Sequence, residues 1–157
     1  MRIKLYLDTS VLGAVCDPGP EERLVATRRI LDGINGGSWE GYISALVLEE
    51  VSRAHESVRG KIAQQLQKSS LIVLEESGES VALAKAYVET HAIPSDYEDD
   101  ARHIAIAVVH DINVIVSWNF RHMVNIERKR KINSVNLREG FPLIDIVSPL
   151  EVSDEEA

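Results

Sequence analysis

Acidic or amide side chains recur at four places along this sequence where a reaction centre could draw on them. They are Asp8, the pair Glu49–Glu50, the run from Asp96 to Asp100, and Asn119 beside Ser117. Three carboxylates brought together repel one another. Two unit charges about 4 Å apart cost about 4 kcal/mol at an effective dielectric of about 20. Such a group needs a cation, or one of its acids must keep a proton. Oxygen-only ligands select hard ions, which in a cell means Mg²⁺ or Mn²⁺. A Zn²⁺ site would want Cys and His at ligand spacing, and "CDPGP" around the single Cys16 offers none.

Each candidate has a plain structural alternative. Asp8 ends the apolar run Ile3 to Leu7 and is followed by Thr9 and Ser10. A strand-end Asp of this kind either faces a pocket or caps the turn or helix that follows. In the helix expected from Ala45, Val47, Val51, Ala54 and Val58 define the buried face at about 100° per residue. Glu49 falls almost opposite that face and reads as a surface charge. Glu50 lies about 70° from its centre, at the boundary of core and water, and can reach a strand end. In "SDYEDDARHIAIAVVH" the core side is Ala101, Ile104, Ala105 and Val108. Asp96, Asp100, His103 and Ala107 form a stripe beside it, and Asp99 points further out. The alternative for these acids is to complement the helix dipole. His103 is either a hydrogen-bonded boundary histidine or a neighbour of the site. Asn119 can coordinate a cation or hold a water through its amide oxygen, or it is a turn residue.

The elements that must carry these residues alternate. Strands are expected at Ile3–Leu7, Tyr42–Ile43, Leu71–Leu74 and Val114–Val116, with a further edge strand within Leu143–Val147. Helices are expected from Glu21 to Ile34, from Ala45 to Ser57, through "KIAQQLQK", through "SGESVALAKAYVETH", up to about His110, and from Asn125 to about Leu137. Ser44 stands where it can cap the second of these, and Ser95 with Glu98 has capping-box spacing. "DPGP" at 17–20 and "NGGS" at 35–38 read as loops. Strands alternating with helices imply crossover connections. The expected fold class is α/β, a three-layer α/β/α sandwich on a mostly parallel sheet of four to five strands. In such sheets ligands sit beyond the C-terminal ends of the strands, which is where Asp8 lies.

A length of 157 residues suits one domain, expected over 1–150, with 151–157 an acidic tail. No apolar run is long enough for a membrane span, and "MRIKLYLD" is too short and too soon interrupted for a signal peptide. One cysteine forms no intrachain disulfide, so a cytoplasmic setting is expected. The net charge of −8 argues against non-specific attraction to nucleic acid. Its distribution is uneven. Arg121 to Arg138 holds six Lys or Arg against Glu127 alone, a local net of about +5 that leaves about −13 elsewhere. "ERKRK" within it is either a solvated helix face or a phosphate-contacting patch.

The stretches "LYLDTSVL", "ISALVLEEVSRA", "DDARHIAIAVVHDINVIVSWNFRHM" and "PLIDIVSPLEV" resemble, in this order, the PIN-domain family. Within it they resemble the VapC-like toxin ribonucleases of type II toxin–antitoxin systems. The resemblance covers nearly the whole chain. It implies Mg²⁺- or Mn²⁺-dependent cleavage of RNA phosphodiesters. It also implies a homodimer and an antitoxin segment that covers the acids, with the helices at Glu21–Ile34 and Ala45–Ser57 as candidate surfaces. Carried over by position, Asp8, Glu50 and Asp100 match the family acids and metal ligands. The fourth family acid, in a Thr-x-Asp pattern, is replaced here by Ser117-Trp118-Asn119, which weakens the attraction for a second cation. In the mechanism this implies, Asn119 joins Asp8, Glu50 and Asp100 in the catalytic set, Ser117 and Asn119 position substrate or water, and Arg121 and His122 position the RNA. Thr9, Asp96 and His103 stand behind the acids.

Two other readings compete. A PIN-like domain that no longer cleaves would serve as a binding module, with Asn119 and the acidic surface in its support. A phosphoaspartyl enzyme using Asp8 would want a second Asp two residues on, where Ser10 stands. No Walker-type loop is present, since "NGGS" is not followed by Lys-Ser or Lys-Thr.

Overall fold

Successive residues of a strand face opposite sides of its sheet, and the first strand, β1 (Ile3–Leu7), uses both. Tyr6 packs into one hydrophobic cluster, while Leu5 and Leu7 pack into another. The structure, a computed structural model, describes residues 2–16 and 19–152. The expected loop at Asp17 and Pro18 and the tail from Ser153 lie outside them.

The elements follow in the order β1, α1 (Thr9–Gly13), α2 (Glu21–Asn35), β2 (Trp39–Ser44), α3 (Ala45–Ser52), α4 (Glu56–Lys68), β3 (Leu71–Leu74), α5 (Gly78–Glu89), α6 (Glu98–Val109), β4 (Val114–Val116), α7 (Ile126–Arg138) and β5 (Asp145–Val147). Short 3-10 turns lie at Ser95–Tyr97 and Pro149–Glu151. All four strand pairings are parallel, in the order β3-β2-β1-β4-β5. This is the expected α/β sandwich with five strands. One face of the sheet is covered by α5, α6 and α7 through Leu83, Tyr87, Ile104, Val108, Ile132 and Val135. The other is covered by α1, α2 and α4 through Val11, Leu12, Ile30, Leu31 and Ile62. Helix α3 gives Leu46 to the first cluster and Val47 to the second, so it straddles the two. A close approach of α2 to β2 depends on Gly33, where a Cβ would stand 2.1 Å from the Trp39 ring. Among the described residues no helix is long and apolar enough to cross a membrane.

Four local expectations are corrected. The single helix from Ala45 to Ser57 is two helices, because the chain turns at Arg53–His55 and His55 Nδ1 caps α4 by accepting from Ser57 N–H at 3.3 Å. Ser44 occupies the N-cap position of α3 but makes no capping bond; its hydroxyl pairs with Tyr6 Oη at 2.7 Å. Ser95 and Glu98 form no capping box, since the 3-10 turn after Pro94 puts Glu98 at the first position of α6. A capping box forms instead between Ser77 and Ser80. The short helix α1, directly after Asp8, was not expected; five residues carry too little periodicity to announce a helix.

The strand order reverses direction between β1 and β4. From β1 the chain builds outwards through β2 and β3, then crosses back to β4 on the other side of β1. At such a reversal the connections leave the two central strands in opposite directions and open a crevice beyond their C-terminal ends. Asp8 follows β1 and Ser117 follows β4, so the crevice lies between them.

Candidate active site

Asp8 is 5% exposed and both its carboxylate oxygens are engaged. Oδ1 accepts from Ser10 N–H at 3.1 Å and from Ser10 Oγ at 2.5 Å; Oδ2 accepts from Ser117 Oγ at 2.6 Å. Asp8 thereby caps α1, as the structural alternative anticipated, while its carboxylate also ties the ends of β1 and β4 together. Ser10 Oγ in turn accepts from Trp118 N–H, and Ser117 Oγ from Asn119 N–H. Burial raises the Asp8 carboxyl above its ordinary range, opposed by His103 and by the Ser10 and Ser117 hydrogen bonds.

Glu50 leaves α3 at the boundary of core and water, as its place on the helical wheel predicts, while Glu49 is exposed and pairs with Arg53 and Arg102. Glu50 Oε1 lies 2.5 Å from His103 Nε2 and accepts from Thr9 Oγ1 at 2.9 Å. The other ring nitrogen, His103 Nδ1, lies 2.7 Å from Tyr6 Oη. His103 is thus a buried link from β1 through α6 to α3. Burial alone would raise the Glu50 carboxyl, but the bonds to His103 and Thr9 outweigh it and hold it below the usual range. Its second oxygen, Oε2, takes no hydrogen bond from the described residues.

Asp100, half-buried in the first turn of α6, accepts no hydrogen bond and joins no ion pair among the described residues. Burial pushes its carboxyl up to about 6; His103 opposes this, and the charges of Asp8, Glu50 and Asp99 add to it. Acids from three separate segments, at positions 8, 50 and 100, therefore feel one another. Arg102, two residues on, turns away from them to Glu76 at 2.5 Å and Asp99 at 3.1 Å. Arg102 is thereby spent on a neighbouring network, and Arg53, whose charge helps to hold the Glu50 carboxyl low, pairs with Glu49.

Among the described residues no three His, Cys, Asp or Glu side chains are drawn tightly enough together to hold an ion as they stand. The donor set nevertheless fits a hard divalent cation. It offers an Asp100 carboxylate and a Glu50 oxygen that take no hydrogen bond among the described residues, and a buried Asp8; none of the three forms an ion pair with a Lys or Arg there. Mutual repulsion is what a cation would relieve.

The remaining candidates divide. Asn119 Oδ1 accepts from His122 N–H at 3.0 Å, which is the turn role. His122 stacks on Tyr97, with ring centroids 3.9 Å apart, and desolvation together with Arg121 and Arg128 lowers its pKa. Arg121 is exposed, as is Asp96, which lies in the 3-10 turn before α6 and not in the helix itself. Of the basic run, Lys129 pairs with Asp145 and Arg138 with Glu139. Sequence reasoning did not assign Ser10, Tyr6 or Ser44 to the site. A hydroxyl two residues after a strand-end Asp is a usable signal for Ser10; the Tyr6–Ser44 contact spans 38 residues and has none.

Comparison with known proteins identifies the family and the fold. The sequence matches no curated protein. The PIN domain family profile matches residues 5–127. A chain of the VapBC2 complex from Rickettsia felis, solved with a DNA fragment from its promoter, superposes with a TM-score of 0.60 at 15% identity, over 93% of this chain and 98% of that one. VapC20 of Mycobacterium tuberculosis, described as a sarcin-ricin-loop-cleaving toxin, superposes with a TM-score of 0.54 at 18% identity, over 74% of this chain and 91% of that one. The matched region runs from the strand that ends at Asp8 to the first turn of α7, and so takes in every acid of the crevice: the chain belongs to the PIN domain family.

Proposed function

We propose that the protein is a Mg²⁺- or Mn²⁺-dependent endoribonuclease that cleaves RNA phosphodiester bonds, and that it is the toxin of a toxin–antitoxin pair. The observation that carries this reading is Asp100: a half-buried carboxylate with no partner among the described residues, beside two further acids, at the crevice where the sheet order reverses. Membership of the PIN domain family supports the nuclease class, and the likeness to a toxin that cleaves the sarcin-ricin loop supports RNA as the substrate.

Asp8 and Asp100 would hold such an ion directly, and Glu50 would hold it directly or through water. When bound, the ion polarises a phosphate oxygen and lowers the pKa of a coordinated water. Glu50, kept ionised by His103 and Thr9 and with no hydrogen bond to Oε2 among the described residues, would orient such a water or accept its proton. His103 and Thr9 fix Glu50, and Tyr6 fixes His103. Ser117 holds Asp8 in place, and Asn119 shapes the turn that presents Arg121 and His122 to the RNA backbone. The cluster Arg128–Lys131 continues that contact. The protein works in the cytoplasm as a homodimer and is restrained by a cognate antitoxin.

Mapping of cleavage sites in total RNA with Mg²⁺ or Mn²⁺ tests the reading. Wild type yields discrete metal-dependent cuts, and Asp8→Asn, with circular dichroism unchanged, yields none. Full activity of Asp8→Asn ends the proposal. The engagement of Asn119 Oδ1 in a turn favours one competing reading, a PIN-like module that binds without cutting. In that case the wild type shows neither cleavage nor stabilisation by millimolar Mn²⁺.

A further inference from the structure

Arg128 Nη1 is buried and meets no hydrogen-bond partner among the described residues. A guanidinium does not shed its charge, and a buried donor without a partner calls for a water or an anion. The residue lines a cleft of about 200 Å³ together with His91, Pro94, Asn125, Glu127 and Lys131. Lys131 lies three residues on, on the same side of α7. Neither it nor Arg128 takes part in an ion pair among the described residues. Against Glu127 the two cations leave the cleft net positive.

Two further features shape it. The cleft sits at the N-terminus of α7, a helix of 13 residues whose N-cap is Asn125, so the positive end of the dipole faces the same space. His91 stands on the opposite wall in a left-handed conformation, φ 61°. From that wall Pro94 leads into the turn that carries Tyr97, on which His122 stacks, and then into α6 with Asp100.

We propose that this cleft binds one phosphate group of the RNA strand, with the planar fork of Arg128 as its principal ligand and Lys131 as a second charge. The assignment to RNA rests on the nuclease reading; recognition of phosphate rests on the cleft alone. A fork of N–H donors suits a tetrahedral oxyanion, and Lys supplies only a point charge.

The test uses the full chain in EDTA, so that binding is read apart from cleavage. Fluorescence anisotropy with a labelled single-stranded RNA compares wild type with Arg128→Gln, Arg128→Lys and Arg138→Gln. The last removes an equal charge from the far end of α7, where Arg138 already pairs with Glu139. Arg128→Gln is expected to weaken binding about tenfold, as loss of a charged hydrogen bond does. It should flatten the logarithmic salt slope by about 0.7, the value for one phosphate contact on a single strand. Arg128→Lys recovers part of the salt slope but little of the affinity, while Arg138→Gln stays within about twofold of wild type. Inorganic phosphate should shift the Arg128 Nε–H and Lys131 amide resonances in wild type and not in Arg128→Gln. Equal losses in Arg128→Gln and Arg138→Gln would mean diffuse charge and overturn the proposal. So would resonances that phosphate leaves unmoved. Phosphate shifts with RNA affinity unchanged in Arg128→Gln would overturn the assignment to RNA.

Discussion

Replacing Asp100 by Asn is expected to stabilise the metal-free protein while removing its activity. Burial and the charges of Asp8, Glu50 and Asp99 push the Asp100 carboxyl from 3.8 to about 6. A rise of that size corresponds to about 3 kcal/mol of destabilisation when the group is ionised. That figure is a ceiling, because water screens part of the charge. Asn also forgoes a favourable interaction with the helix dipole, worth about 0.3–1 kcal/mol. The expected gain is therefore about 1–2 kcal/mol at pH 7.5, or roughly 2–8 °C in Tm for a domain of this size. The sign of the pH dependence follows from the raised pKa. Folded Asp100 holds its proton more tightly than unfolded Asp100, so its contribution to stability is complete below pH 3.8 and is lost as pH rises through about 6. Melting curves in EDTA for wild type and Asp100→Asn, at pH 7.5 and pH 5, read both consequences. The variant should melt higher at pH 7.5, and the gap should narrow at pH 5, where the wild-type carboxyl is largely protonated. An unchanged or lower Tm at pH 7.5 would refute the claim that Asp100 is held against repulsion with nothing to offset it.

Three further outcomes follow from the same structure. Millimolar Mn²⁺ should raise the Tm of wild type and not that of Asp8→Asn, because a ligand binding only the folded state at 100 times its Kd stabilises by about 2.7 kcal/mol. In His103→Ala the Glu50 carboxyl should titrate higher than in wild type, since the His103 bond is the largest of the effects that lower it; carboxyl-carbon NMR reads this directly. The same variant should lose about 2–4 kcal/mol in urea unfolding, because it opens a cavity and removes one of the two hydrogen-bond partners of the buried Tyr6 hydroxyl. Gly33→Ala should cost about 1–3 kcal/mol, since the new methyl group would meet the Trp39 ring; retention of wild-type stability would show that α2 can move away from β2 freely.

Reading the fold from the chain succeeded where periodicity is strong and local. The apolar run Ile3–Leu7 and the long amphipathic segments announced strands and helices that are all present. The helical wheel separated Glu50 from its neighbour Glu49 for a sound reason: a 100° step turns adjacent residues to different environments. Reading failed at ends and caps. Ser44 has the residue type of a helix cap, but a buried Tyr6 hydroxyl 38 positions away needs a partner and takes it. The break between α3 and α4 escaped notice because Val47, Val51 and Val58 keep a plausible register across it.

For the site, the sequence alone determined which donors are available: carboxylates at 8, 50 and 100, one histidine beside them, and an amide where an acid is usual. Their chemistry by itself points to a hard cation. What only the tertiary structure decided was how each donor is engaged. Asp8 is anchored by Ser10 and Ser117, Glu50 is half-held by His103 and Thr9, Asn119 closes a turn, and Asp100 has no partner among the described residues. These bonds join segments separated by up to 109 residues. Residue type sets what a side chain can do. Which bonds it makes depends on the neighbours that packing brings within about 3 Å, and local sequence carries no record of them.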